Sequence, residues 1–304
     1  MPVTVLVPDD DGLRALGELA GVRPVRYSWH EPLPPEAAEA EVLVPGPHQR
    51  GERDAVLGAL PSLRLVQLLS AGAENWIGSL PEGVLLSTCR GAHGGSTAEW
   101  VMAVLLSIHR DLPAFAADQA AERWNPRPTA TLQDKRVLVV GAGDLGRQLR
   151  RRLLAFDARV TMVGVSARDG VHPVDALPAL LPDHDVVALV VPLTSRTRGM
   201  VDTEFLAAMP DGAVLVNAAR GPVVDTDALL AELTAGRLRA ALDVTDPEPL
   251  PADHPLWTAD NLVLTPHVAG SVTGSRRRSY AVVAAEIARY AGGELPLNLV
   301  HGEY

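Results

Sequence analysis

A short apolar run leads into three glycines and then a helical pattern in Arg136-Val137-Leu138-Val139-Val140-Gly141-Ala142-Gly143-Asp144-Leu145-Gly146-Arg147. The glycines are spaced G-x-G-x-x-G, and Leu145, Leu149, Leu153 and Leu154 follow on what reads as one helical face. Strand, glycine turn and helix in that order form the context in which such a turn cradles a pyrophosphate. Gly141 would make the tight turn, Gly143 would let the backbone approach the phosphates, and Gly146 would let the helix pack closely on the strand. The amides of Asp144 and Leu145 at the helix N-terminus would point at the anion. The chemistry served by such a turn is that of a bound dinucleotide.

The dinucleotide's type is read one strand later. An NAD site ordinarily ends its second strand with an Asp or Glu that accepts from the ribose 2′-hydroxyl. Here Arg159-Val160-Thr161-Met162-Val163 runs into Gly164, then Val165, Ser166, Ala167 and Arg168. The absent carboxylate removes repulsion toward a 2′-phosphate, and Ser166 and Arg168 could bind one. NADP is therefore favoured, with NAD left open because Arg168 reads equally as a solvated loop arginine.

Three downstream segments carry ionisable residues: Asn217-Ala218-Ala219-Arg220-Gly221-Pro222-Val223-Val224-Asp225, Ala241-Leu242-Asp243-Val244-Thr245-Asp246-Pro247-Glu248-Pro249-Leu250 and Leu264-Thr265-Pro266-His267-Val268-Ala269-Gly270. With the glycine turn and Val191-Pro192-Leu193-Thr194, they resemble the signature blocks of the D-isomer-specific 2-hydroxyacid dehydrogenases over roughly residues 65–270. The chemistry such enzymes perform agrees with the residue types. Reduction of a 2-keto acid needs a cation for the carboxylate and keto oxygen, a general acid for the developing alkoxide and an oriented hydride donor. Arg220 suits the first role through its bidentate fork. His267 suits the second because an imidazole exchanges protons near neutrality. Glu248, 19 residues before it, would hydrogen-bond the ring and favour its protonated form. Asp246 nearby is an alternative partner, with Glu248-Pro249 then an exposed turn.

The same resemblance implies further contacts. Asp243 would meet the nicotinamide carboxamide, unless it is a cap. Thr97, Val191, Pro192, Thr197, Ala219 and Ala269 would line the dinucleotide, although Thr97 also reads as a helix N-cap. Ser70, Ala71 and Gly72 resemble the loop whose backbone amides hold the substrate carboxylate, where small residues permit close approach; an ordinary strand-to-helix turn is the other reading. The implied activity is NAD(P)H-dependent reduction of a small 2-keto acid such as glyoxylate, hydroxypyruvate or pyruvate to the D-hydroxy acid. Phosphoglycerate and phosphite dehydrogenase-like enzymes remain alternatives, though Ala71 stands where a phosphite enzyme would carry a basic residue. The dinucleotide-sensing corepressors that share the fold keep the same triad and also remain open.

These groups have to be positioned by an α/β scaffold. Apolar runs at 3–7, 42–44, 64–68, 84–86, 137–140, 160–163, 186–191, 213–217, 239–242 and 262–264 read as strands buried on both faces. Helical patterns at 97–110, 145–155, 203–208, 225–235 and 274–292 lie among or after them. Two prolines in Trp124-Asn125-Pro126-Arg127-Pro128-Thr129 break the rhythm. The expectation is two Rossmann/flavodoxin-like, doubly wound parallel-sheet domains with a cleft between them. A dinucleotide domain, 94–273, would be inserted into a discontinuous substrate domain, 1–93 plus 274–304.

Composition limits what else the chain could be. It has 304 residues, 47% hydrophobic and 21% charged, which excludes disorder, collagen and coiled coil. A net charge of −10 argues against nucleic acid or an anionic membrane as partner. One cysteine, Cys89, excludes an intrachain disulfide framework and a Cys-based zinc site, and no metal is expected. No apolar run approaches the ~18 residues of a membrane span, and the N-terminus carries no basic, cleavable leader pattern. A cytoplasmic protein is expected, paired by resemblance as a homodimer through the helix near 97–122.

Overall fold

Alternate residues of the apolar runs are buried on opposite faces of a sheet. Val137, Val139, Val186, Ala188, Val214 and Val216 belong to one core, and Leu138, Val140, Val187, Leu189 and Leu215 to another. Such double burial is imposed when parallel strands lie between two helical layers. The computed structural model describes residues 1–47 and 50–303, with only the backbone of Arg50; His48, Gln49 and Tyr304 lie outside the described residues. The chain divides into two units, Met1–His93 with Thr273–Tyr304, and Gly94–Val272. The boundary expected between 273 and 274 falls one residue earlier.

The first unit contains β1 (Val3–Val7), α1 (Asp10–Leu16), β2 (Val22–Arg26), β3 (Ala40–Leu43), α2 (Arg50–Gly58), β4 (Leu65–Gln67) and β5 (Leu85–Ser87). The strands form a five-stranded parallel sheet in the order β2-β1-β3-β4-β5. β2 was not among the expected strands. It carries Pro24 and no fully buried residue, and an edge position tolerates the missing N–H.

The second unit contains α3 (Gly94–His109), α4 (Leu112–Ala120), β6 (Arg136–Val140), α5 (Asp144–Ala155), β7 (Arg159–Gly164), β8 (His172–Pro173), α6 (Leu177–Leu180) and β9 (Val186–Leu189). It continues with α7 (Thr203–Ala208), β10 (Val214–Asn217), α8 (Thr226–Thr234), β11 (Arg239–Leu242) and β12 (Leu262–Leu264). All seven strands are parallel, in the order β12-β11-β10-β9-β6-β7-β8. β6 pairs with both β7 and β9, so the winding reverses beside β6, the switch point at which such sheets bind ligands. The last helix, α9 (Ser275–Ala291), returns to the first unit, where Tyr280, Val283 and Ile287 join the core of Val5, Val7, Val42 and Leu65.

Two helix expectations change. α3 begins at Gly94, three residues before the expected start. The Asp144 carboxylate lies against that first residue, where a Cβ on Gly94 would come within 2.0 Å of Asp144 Oδ2, and a negative charge there favours the helix N-terminus. Thr97 accordingly sits inside the helix and not at its cap. On α5, Leu149 and Leu153 are fully buried but Leu154 is 45% exposed, because it falls off their four-residue line. No single helix among the described residues is long and apolar enough to cross a membrane.

Candidate active site

At the end of β6 the glycine turn is built by two close approaches and one opening. A Cβ on Gly141, which has φ +125°, would stand 2.5 Å from the Val190 carbonyl oxygen just after β9. One on Gly146 would stand 1.8 Å from the Gly141 carbonyl oxygen. One on Gly143 would meet nothing within 4 Å. Two glycines are thus required by protein packing, while the third leaves space at the α5 N-terminus, the place for a pyrophosphate. Asp144 and Leu145 open the helix as expected, although the Asp144 side chain turns toward α3. Next door, Gly164 ends β7, and Arg168 donates from Nη2 to the Ala142 carbonyl in the glycine turn (3.0 Å). Ser166 is exposed on the intervening bend.

The loop after β9 is folded on itself by threonines. Thr197 Oγ1 donates to the Pro192 carbonyl (2.7 Å) and accepts from the Thr194 amide (2.8 Å). Val191 begins that loop, half-buried against the core.

Three adjacent strands deliver the ionisable groups. Register aligns Asn217, Leu242 and Leu264 across β10, β11 and β12, so Arg220, Asp243 and His267 all lie just past the carboxyl edge of the sheet. Asn217, 1% exposed, shapes the first loop: its Oδ1 accepts from the Ala219 amide (3.0 Å) and its Nδ2 donates to the Arg220 carbonyl (3.0 Å). The same loop rests on the next, since a Cβ on Gly221 would lie 1.8 Å from the Thr245 carbonyl oxygen.

Asp243, 3% exposed, binds the third loop. Its Oδ1 accepts from Thr265 Oγ1 (2.6 Å) and the Val268 amide (2.8 Å), and its Oδ2 accepts from the Ala269 amide (2.9 Å). The Asp243 carbonyl accepts from the His267 amide (2.7 Å). Held this way, His267 adopts φ +55°, a left-handed conformation that costs a non-glycine residue about 1–2 kcal/mol. Its Nδ1 lies 2.6 Å from Glu248 Oε1, with both side chains nearly half exposed. A carboxylate only accepts, so Nδ1 carries the proton and Nε2 is the nitrogen left for other partners.

The structure therefore brings His267, Glu248 and Asp243 into one bonded group, with Arg220 on the neighbouring strand's loop and Ala219 and Ala269 buried beside them. Ser70, Ala71 and Gly72 belong to the other unit, where Ser70 Oγ donates to the Gly72 carbonyl (2.8 Å). Asn217 and Thr265 were missed from sequence. A polar residue ending an otherwise apolar strand, and a hydroxyl just before Pro266-His267, are the signals that point to them. Among the described residues, no group of three or more His, Cys, Asp or Glu is arranged to hold a metal ion.

Residues 102–269 match the family model described as D-isomer specific 2-hydroxyacid dehydrogenase, NAD binding domain. The chain is 33% identical over 265 residues to a glyoxylate reductase of Thermofilum pendens, covering 82% of this chain and 78% of that one. It is 31% identical to a D-3-phosphoglycerate dehydrogenase of Methanocaldococcus jannaschii over 98% of this chain, and spans 59% of that longer protein. The crystal structure of a D-isomer specific 2-hydroxyacid dehydrogenase from Xanthobacter autotrophicus Py2, in complex with NADPH and MES, aligns with a TM-score of 0.87 at 30% identity. That alignment covers 99% of this chain and 98% of the other.

Proposed function

Because this chain belongs to the D-isomer specific 2-hydroxyacid dehydrogenases, NAD(P)-dependent oxidoreductases acting on CH–OH donors, we propose that it reduces glyoxylate or hydroxypyruvate with NADPH to the 2-hydroxy acid. The observation that carries this reading is the 2.6 Å contact between His267 Nδ1 and Glu248 Oε1. The glyoxylate reductase relative supports the substrate. Gly164, Arg168 and the NADPH-bound neighbour support the dinucleotide.

The glycine turn fits the cofactor, since its opening lies at Gly143 and its tight packing at Gly141 and Gly146. The bound dinucleotide supplies the hydride that reaches the keto carbon. Arg220 pairs its guanidinium with the substrate carboxylate and polarises the keto oxygen. His267 donates a proton from Nε2 to that oxygen as the C–H bond forms, while Glu248 fixes the ring through Nδ1. In the reverse direction the same Nε2 takes up the hydroxyl proton. Ser70, Ala71 and Gly72 are assigned to the substrate carboxylate, and Thr97, Val191, Pro192, Thr197, Ala219 and Ala269 to the cofactor, on the family resemblance. Asp243 is assigned first to holding the His267 loop, the role its bonds support.

Assembly as a homodimer through the α3–α4 region and a cytoplasmic location complete the reading; the lone buried Cys89 is compatible with a reducing compartment. The phosphoglycerate dehydrogenase relative supports a second substrate, 3-phosphohydroxypyruvate. The test is His267→Ala, assayed with each keto acid. The turnover number should fall by roughly 10²–10⁴-fold with NADPH affinity unchanged, and an unchanged turnover number would overturn the assignment.

A further inference from the structure

We infer that Arg147 is a second cation, alongside Arg168, for the 2′-phosphate of the dinucleotide; this rests on the NADP reading above. Arg147 follows the last glycine of the turn and lies in the first turn of α5. Its Nη1 donates back to the Ala142 carbonyl at 3.4 Å, the same oxygen that accepts from Arg168 Nη2 at 3.0 Å. Two guanidinium groups, one from the helix and one from the loop after β7, thus share one neutral acceptor. Neither forms an ion pair with a carboxylate among the described residues, whereas Arg123, Arg127, Arg136, Arg159 and Arg237 on the same unit do.

Gly164, at the end of β7, holds the position where an NAD site would keep its acid. A Cβ on Gly164 would lie 3.4 Å from Ala142 Cβ and 3.8 Å from Arg168 Nη1, so a carboxylate at this position would stand beside the Arg168 guanidinium and the turn residue whose carbonyl both arginines bond. Its absence leaves two like charges held close together, which repel until an anion joins them. A ribose hydroxyl is neutral and gives no such relief. A phosphate monoester carries close to two negative charges and offers three acceptor oxygens, enough for both forks. The geometry therefore selects a phosphorylated ribose over a plain one, and divides its recognition between α5 and the β7–β8 loop.

The test measures binding of adenosine 2′,5′-bisphosphate and of 5′-AMP to the whole protein by titration calorimetry, without turnover. Wild type should bind the bisphosphate far more tightly than 5′-AMP. Arg147→Gln should weaken the bisphosphate roughly tenfold, the loss expected for a charge-assisted hydrogen-bond pair, and leave 5′-AMP unchanged. The ratio of KM for NADPH to KM for NADH should move in the same direction. Arg151→Gln, on the same helix but bonded to Gln148, is the control and should leave both ligands unaffected. If Arg147→Gln weakens both ligands equally or neither, or if Arg151→Gln matches it, the role of Arg147 is refuted while the NADP reading stands. If wild type does not distinguish the two ligands, the NADP reading fails and this inference with it.

Discussion

Replacing Asp243 by Asn tests whether one buried carboxylate shapes the proton-transfer loop. Three donors, Thr265 Oγ1 and the amides of Val268 and Ala269, converge on its two oxygens at 2.6–2.9 Å. An amide has one acceptor oxygen, so in either orientation its NH2 faces at least one backbone N–H. With the oxygen at Oδ1 the Ala269 amide loses its acceptor. With the oxygen at Oδ2 the Val268 amide does, while Thr265 rotates to accept. One buried donor left without an acceptor costs about 1–3 kcal/mol. The loop that bears this loss already holds His267 in a left-handed conformation, so the loss falls on the ordering of the imidazole. Read as lost transition-state positioning, kcat/KM for glyoxylate should fall roughly 5- to 150-fold. The assay is steady-state reduction with NADPH, beside circular dichroism to establish that the variant is folded. A folded Asp243→Asn enzyme with wild-type kcat/KM would refute the reasoning.

Other perturbations have distinct signatures. Gly146→Ala places a Cβ 1.8 Å from the Gly141 carbonyl oxygen, and should cost about 2 kcal/mol or more by overpacking, seen as a lower Tm. Gly143→Ala meets no protein atom within 4 Å, so Tm should hold while NADPH binding weakens in a fluorescence titration; equal behaviour of the two variants would contradict the assignment of the turn. Glu248→Gln should lower kcat by roughly tenfold or more without altering the KM for NADPH, and a wild-type kcat would remove Glu248 from the mechanism. His109 is buried, and burial first, with the nearby charges of Arg239 and Lys135, holds its pKa below the ordinary histidine value against the opposing bond to the Leu105 carbonyl. The unfolded chain therefore takes up this proton first as pH falls, so His109's contribution is whole above about pH 6.5 and is lost below it. His109→Gln should flatten the fall of Tm between about pH 7 and 5; an unchanged slope would exclude His109 as a source of it.

The double-sided burial of β6, β9 and β10 was legible because each is an uninterrupted apolar run, and the glycine turn because all three glycines fall between a strand and a helix. β2 was not legible: Pro24, and exposed residues three apart at Arg23 and Arg26, give no strand alternation, and only its pairing with β1 makes it a strand. The start of α3 lies against Asp144, about 50 residues away in sequence, a contact that no local pattern announces. The candidate site divides in the same way. Arg220, Glu248 and His267 stood out through local motifs, but the bonding of Asp243 to residues 265–269 and of Asn217 to the Arg220 backbone exists only once neighbouring strands are in register. Arg147 carried no signal at all, since a basic residue after a glycine turn is indistinguishable from a solvated helix arginine until its side chain is seen folded back on Ala142.

The most direct test of the account is to follow oxidation of NADPH and of NADH by the purified protein with glyoxylate, hydroxypyruvate, pyruvate, phenylpyruvate and 2-ketoisocaproate, and to determine the configuration of the product. Glyoxylate or hydroxypyruvate should be turned over, faster with NADPH at equal subsaturating concentration, to the D-isomer wherever the product is chiral. Tight dinucleotide binding with no turnover of any of these acids would contradict it.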